Sequence, residues 1–115
     1  KPSVLRNVDR TMRIMNEEPF GPVALMTPFA KVDEVIEEAN RLPFGLASYA
    51  FTRSARTVET LADSVEAGMM TINHLGLALP ETPFGGMKAS GLGRELGPDA
   101  AEHFTETKNV FISTD

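Results

Sequence analysis

The chain has 115 residues, so it can hold one domain with a modest core. Its formal net charge of −5 argues against a nucleic-acid-binding surface, because such surfaces are basic. No apolar run reaches membrane-spanning length, no secretory leader opens the sequence and there is no cysteine, so we expect a cytoplasmic location and no cysteine nucleophile or cysteine metal site in these residues.

β-prone and helical stretches alternate over the first part of the chain. Apolar, β-prone residues occupy 23–29, 46–51 and 69–72. Helical spacing of apolar residues separates these stretches, at Val32, Val35, Ile36 and Ala39 and again at Val58, Leu61, Ala62 and Val65. The order β-α-β-α-β, with helices between short buried strands, predicts crossover connections and a largely parallel sheet.

The ends of the two predicted helices carry recognisable stop and start residues. Pro43 stops the first helix. Ser54 is a suitable N-cap for the second helix, and Gly68 is a suitable residue just beyond its C-terminal end. Asn73, just past the third strand, is predicted to be a turn residue that bonds the backbone.

The last third of the chain is predicted to be mostly irregular. Residues 74–97 are rich in glycine and proline. A final helix is expected to begin near Pro98, which suits the first helical position. Residues 110–112 are apolar and predict a short strand. The predicted fold is therefore α/β, a parallel-sheet β-α-β-α-β unit followed by a glycine-rich connector, a helix and a C-terminal strand.

The glycine-rich segment at residues 83–95 reads PFGGMKASGLGRE. Gly91, Gly93 and the following Gly97 miss the dinucleotide-binding spacing by one residue, and no strand directly precedes them. The segment also fails as a phosphate-binding P-loop, because Leu92 and Gly93 stand where Lys and Ser or Thr are required. A structural connector is therefore the favoured role for most of these residues.

A second segment, at residues 17–22, reads EEPFGP. The two segments resemble the EEIFGPV and PFGGxKxSGxGRE signatures of the NAD(P)-dependent aldehyde dehydrogenases, in the family's order and at about its separation. The resemblance covers nearly the whole chain, whose termini look cut. It identifies the chain as a C-terminal fragment of such an enzyme, and its sequence most resembles those of bacterial succinate-semialdehyde-type dehydrogenases.

The resemblance implies oxidation of an aldehyde to the carboxylic acid with NAD or NADP. In the family, a Cys thiolate attacks the aldehyde, hydride passes from the thiohemiacetal to the nicotinamide, and a Glu-activated water hydrolyses the thioester. Those groups would lie upstream, so no catalytic residue is expected here and the fragment alone is predicted to be inactive. A semialdehyde and an apolar aldehyde both stay open as the substrate.

Three residues match family positions that touch the cofactor or the substrate. Glu18 matches a Glu that binds the nicotinamide ribose, and Phe20 matches a Phe that contacts the nicotinamide; Pro19 and Pro22 stiffen this stretch. The alternative for Glu18 and Phe20 is a solvated surface turn. Phe84 matches a position lining the aldehyde tunnel, and a plain core aromatic is its equal alternative.

The resemblance also divides the chain and implies self-association. Residues 1–74 are assigned to the end of the catalytic domain, and residues 75–115 to a return segment and a C-terminal oligomerisation strand. The family implies a homo-oligomer joined through that strand. Arg94 and Glu106 match an ion pair that braces the C-terminal segment.

Other classes of function and site find less support in the sequence. No metal site is expected, since His74 and His103 have no ligand-type partner at suitable spacing and are assigned ordinary polar roles. A free-standing α/β interaction or regulatory domain, such as a phosphoacceptor receiver, is the alternative class. It is disfavoured because no Asp directly follows a central predicted strand.

Overall fold

The computed structural model describes all 115 residues, which form two compact units, Lys1–Leu42 and Pro43–Asp115. In chain order the elements are β1 (Ser3–Arg6), a 3-10 helix (Arg13–Met15), β2 (Val23–Met26), α1 (Val32–Asn40), β3 (Phe44–Gly45), β4 (Ala47–Ala50), α2 (Ala55–Ser64), β5 (Met69–Ile72), β6 (Met87–Lys88) and a second 3-10 helix (Pro98–Phe104).

The first unit is built on a parallel pair of strands. β1 pairs with β2, with Ser3 opposite Val23 and Arg6 opposite Met26. The helix α1 follows β2 and carries Asp33 in its first turn, where a carboxylate complements the helix dipole. β1 is not among the strands predicted from the sequence; all four of its residues are exposed, so it has no buried face that alternating apolar residues would mark.

The second unit is built on the predicted β-α-β crossover. β4 and β5 pair in parallel, and α2 connects them. The Ser54 hydroxyl accepts a hydrogen bond from the Thr57 N–H at 3.2 Å, which confirms the predicted N-cap. Leu61 of α2 and Met69 of β5 are the buried apolar residues of the chain, so the core lies between this helix and this strand pair.

The predicted order β-α-β-α-β is confirmed, but the strands are paired differently from a single sheet. The chain forms three two-stranded sheets, and β2 pairs with β1 rather than with β4. The third sheet is antiparallel and joins β3 to β6. The strand β6 lies within the connector that was predicted to be irregular. The connector is also held by the Gly45 N–H, which donates to the Ser90 hydroxyl at 2.9 Å. Short-range patterns do not reveal such long-range backbone partners.

The C-terminal region differs from the prediction in two ways. The helix that begins at Pro98 is a 3-10 helix rather than an α-helix. The predicted strand at residues 110–112 is not formed, because residues 105–115 have no regular secondary structure. A strand requires a neighbour to take its backbone hydrogen bonds, and no segment of this chain pairs with these residues.

Gly68 has a different role from the predicted helix cap. The helix α2 ends at Ser64 with Val65 as its C-cap residue. A Cβ atom on Gly68 would overlap the carbonyl oxygen of Gly85, so glycine is needed for a close approach of two backbone segments. Asn73, in contrast, is the predicted turn residue: it has a positive φ of 57° and its side chain bonds both the N–H and the carbonyl of Thr52.

The helices of this chain do not have the length and apolarity that crossing a bilayer needs. The predicted division at residues 74 and 75 refers to the domains of a longer family member, and it stays a prediction.

Candidate functional site

Glu18 lies in the segment between the first 3-10 helix and β2, where its side chain is exposed. It lines a cleft of about 310 Å³ together with Arg13, Ile14, Glu17 and Pro19. Arg13 Nε contacts Glu17 Oε2 at 2.7 Å, so these two charges are paired with each other. Glu18 is in none of the ion pairs of the structure, which leaves its carboxylate able to accept hydrogen bonds from a ligand in the cleft.

Phe20 follows two residues later and presents almost its whole ring to solvent. The residue is 94% exposed, and nothing lies within 4 Å of the position of a Cβ on the adjacent Gly21. An open aromatic face can pack against a planar ring. A carboxylate can accept hydrogen bonds from a sugar diol, and an open ring face can pack on a nicotinamide ring. The two groups that this segment presents are therefore suited to these contacts.

The loop before Glu18 is held by the end of α1. The guanidinium of Arg41 donates from Nη1 to Asn16 Oδ1 at 2.7 Å and from Nη2 to the Met15 carbonyl at 2.8 Å. It also pairs with Glu38 at 3.0 Å. The role of Arg41 is not recognisable from the sequence, because a base three residues after an acid at a helix end is typical of a solvated pair.

The start of the same loop is a compact turn at Asp9. Its carboxylate accepts the Thr11 hydroxyl at 2.6 Å and the Thr11 N–H at 2.8 Å. Both bonds favour the ionised form and lower the pKa of Asp9 below its ordinary value. The bond from the Thr11 hydroxyl contributes more than the bond from the Thr11 N–H. The turn is therefore most stable when Asp9 carries its charge.

Phe84 is half-buried, and its backbone is hydrogen-bonded within the connector. Its N–H donates to the Glu95 carbonyl at 2.6 Å, and the Glu95 N–H donates back to the Phe84 carbonyl at 2.7 Å. Nearby, Arg94 Nη1 donates to the carbonyls of Gly86 and Gly93 at 2.8 and 2.7 Å. Both backbone groups of Phe84 thus have partners, and the residue is partly accessible.

The three predicted site residues are divided between the two compact units. Glu18 and Phe20 share one segment of the first unit, whereas Phe84 belongs to the second. The expected ion pair of Arg94 with Glu106 is absent from the ion pairs of the structure. The guanidinium of Arg94 instead binds backbone carbonyls, and Glu106 lies in the exposed irregular tail.

Both histidines have the ordinary polar roles that were predicted. The ring Nδ1 of His74 accepts the Gly76 N–H at 2.9 Å. The ring Nε2 of His103 accepts the Arg94 N–H at 3.2 Å, which connects the second 3-10 helix to the glycine-rich segment.

Comparison with known proteins identifies the family of this chain. Residues 1–110 match the model of the aldehyde dehydrogenase family. The chain is 44% identical over 93% of its length to 4-(hydroxymethyl)benzenesulfonate dehydrogenase of Comamonas testosteroni, and 43% identical over 99% to betaine aldehyde dehydrogenase of Agrobacterium fabrum. The NAD+ complex of an aldehyde dehydrogenase from Bacillus cereus matches the whole chain with a TM-score of 0.93 and 42% identity.

These matches show an aldehyde dehydrogenase fold, and the chain belongs to the aldehyde dehydrogenase family. The chain spans about a fifth of its relatives, namely 22% of the Comamonas dehydrogenase and 23% of the Agrobacterium and Bacillus proteins.

Proposed function

We propose that this chain is the part of an NAD(P)-dependent aldehyde dehydrogenase that contributes one wall of the nicotinamide site and one wall of the aldehyde tunnel. In this proposal Glu18 accepts the hydroxyls of the nicotinamide ribose, Phe20 packs on the nicotinamide, and Phe84 borders the substrate. The cofactor, when bound, supplies the hydride acceptor for aldehyde oxidation. The cysteine nucleophile lies in a part of the enzyme other than these 115 residues, which contain no cysteine.

The observation that carries the proposal is the exposed, unpaired position of Glu18 in a chain that belongs to this family. Its carboxylate lines a cleft and takes part in no ion pair, and the exposed ring of Phe20 stands two residues away. A solvated turn would expose these groups too, so the proposal rests on this exposure together with the match of Glu18 and Phe20 to the family's cofactor-contacting positions.

The remaining parts of the proposal concern substrate, assembly and location. The substrate is an aldehyde, either a semialdehyde or an apolar aldehyde. Residues 1–74 belong to the end of the catalytic domain, and residues 75–115 form the return segment and the oligomerisation strand of a homo-oligomer. The absence of cysteine suits a cytoplasmic location.

The cofactor role is tested by replacing Glu18 with Gln in the complete enzyme. Gln keeps the shape but loses the charge-assisted hydrogen bond to a ribose hydroxyl, so we expect weaker NAD+ binding and slower single-turnover hydride transfer, each by about tenfold. Glu59→Gln, at an exposed position on α2, is the matched control and should leave both unchanged. Unchanged binding and hydride transfer in Glu18→Gln would reject the role of Glu18.

The incompleteness of the site is tested on the 115-residue chain alone. We expect no turnover with NAD or NADP and a panel of aldehydes, because the chain has no thiol to attack the substrate. Turnover above that of a heat-denatured control would contradict the placement of the nucleophile elsewhere in the enzyme.

A further inference from the structure

The loop that leads to Glu18 is anchored by a single guanidinium. Arg41 directs Nη1 to Asn16 Oδ1, Nη2 to the Met15 carbonyl and Nε to Glu38. Its side chain is only 26% exposed. All three nitrogens of the guanidinium therefore have partners.

The anchor reaches both ends of the loop. Asn16 uses its Nδ2 to donate to the carbonyls of Arg10 and Met12, at 2.8 Å in each case, so the loop is closed on itself. Glu38, the partner of Arg41, also pairs with Arg10 Nε at 2.8 Å. The pair of Glu38 and Arg41 thus ties the first and last turns of the loop to α1.

Little freedom remains between this anchor and Glu18. Asn16 is two residues before Glu18, and the intervening Glu17 is paired with Arg13. Pro19, directly after Glu18, has its own φ fixed and restricts the backbone of Glu18. The backbone position from which the Glu18 side chain extends therefore depends on where Arg41 places Asn16.

We propose that Arg41 is a positioning residue for Glu18, holding the loop of residues 10–17 against α1 so that the carboxylate is aimed at the nicotinamide ribose before the cofactor binds. This inference rests on the proposed function. Arg41 itself does not touch the cofactor; it removes the need to order the loop upon binding.

Arginine is required for this role by geometry. A guanidinium has five N–H donors in a rigid planar fork, which can hold Glu38, Asn16 and Met15 at the same time. A lysine ammonium has three donors at one point and cannot span these partners. A cation here also complements the negative end of the α1 dipole, so lysine keeps this smaller contribution while it loses the anchor.

The test compares Arg41→Lys with Arg56→Lys in the complete enzyme; Arg56 is exposed on α2, in the other compact unit, and serves as the matched control. In the cofactor-free enzyme, hydrogen exchange of residues 10–18 should become faster in Arg41→Lys and stay unchanged in Arg56→Lys. Calorimetry should show about tenfold weaker NAD+ binding in Arg41→Lys, the loss expected for one or two hydrogen bonds to a charged group. The KM for the aldehyde should not change.

Coupling to Glu18 separates positioning from general stability. In a Glu18→Gln background, Arg41→Lys should weaken NAD+ binding by less than twofold further, because the group that it positions is already lost. Additive losses would overturn the inference, as would faster exchange of the loop with unchanged NAD+ affinity.

The same series distinguishes the inference from the function on which it rests. Weaker NAD+ binding in Glu18→Gln with wild-type affinity in Arg41→Lys would overturn the inference and leave the proposed function intact. Wild-type NAD+ affinity in Glu18→Gln would overturn both.

Discussion

Individual side chains in this protein fix the backbone at the ends of its elements. Asp9 closes the turn that opens the loop before Glu18, Ser54 begins α2, and Asn73 ends β5 by bonding Thr52. In each case a short polar side chain satisfies backbone groups that the neighbouring element leaves without partners. These contacts are local, and their contributions can be measured one residue at a time.

The turn at Asp9 should depend on pH in a defined direction. Because folding lowers the pKa of Asp9, its stabilising contribution is complete above the unfolded pKa of about 3.9 and is lost as the pH falls through the lower folded value. Titration followed by NMR should show this lowered pKa. Thr11→Val, which removes the hydroxyl donor but keeps the N–H, should raise the pKa, whereas Thr11→Ser should not. An unchanged pKa in Thr11→Val would refute the assigned cause.

The cap of α2 should contribute a measurable part of that helix's stability. Ser54→Ala removes the acceptor of the Thr57 N–H and should cost about 1 kcal/mol. Native-state hydrogen exchange of the first amides of α2 reports this loss directly. Ser113→Ala, in the exposed irregular tail, is the control and should have no effect. Equal protection in both variants would show that the cap bond contributes nothing.

At the scale of elements, the second unit depends on close contacts between backbone segments. A Cβ on Gly68 would overlap the Gly85 carbonyl, and a Cβ on Gly45 would overlap the Glu66 carbonyl. Lys88 of β6 also forms an ion pair with Glu66. The approach of Gly68 to Gly85 and the pair of Lys88 with Glu66 hold the connector that carries Phe84 against the β4–β5 crossover without a large apolar core.

Replacing Gly68 by alanine should therefore destabilise the second unit. The added methyl meets backbone rather than a movable side chain, so we expect a loss of about 1–3 kcal/mol in the free energy of unfolding. Gly21→Ala is a matched control, since nothing lies within 4 Å of its Cβ position. Chemical denaturation of the two variants tests this expectation. Equal stability of both would mean that the two backbone segments separate at little cost.

In the molecule as a whole, far more of the large apolar residues are exposed than are buried. Only Leu61 and Met69 are buried among its large apolar residues, whereas Phe111 is 94% and Ile112 81% exposed. Exposed apolar surface of this extent is typical of chains that contact other protein surfaces. The tail at residues 110–112 also has the composition of a strand but no strand partner in this chain.

We therefore expect the 115-residue chain to associate in solution. Apolar residues with unsatisfied strand hydrogen bonds tend to pair with another chain, so sedimentation should show a dimer or a larger assembly. Replacing both Phe111 and Ile112 by lysine should weaken this association. Leu75→Lys, at an exposed apolar residue outside the tail, controls for a general increase in charge. A single monomeric species at high concentration would contradict the prediction.

Features that depend on neighbouring residues were predictable from the sequence. The periodicity of α1 and α2, the Ser54 cap, the Asn73 turn and the glycine-rich connector all follow from short-range patterns, and the two segments at residues 17–22 and 83–95 indicated the family. Glu18 and Phe20 were selected from the same local signal.

Contacts between distant segments, in contrast, were visible only in the folded chain. The pairing of β1 with β2 and of β3 with β6, and the contact of Arg41 with Asn16, join residues that are 20 or more positions apart. The residues of β1 are all exposed, so no alternation of buried and exposed positions marks this strand. The sequence around an arginine at a helix end does not show whether its side chain contacts water or a loop. The strand expected at residues 110–112 was not formed for the same reason, since a strand is specified by its partner as much as by its own residues.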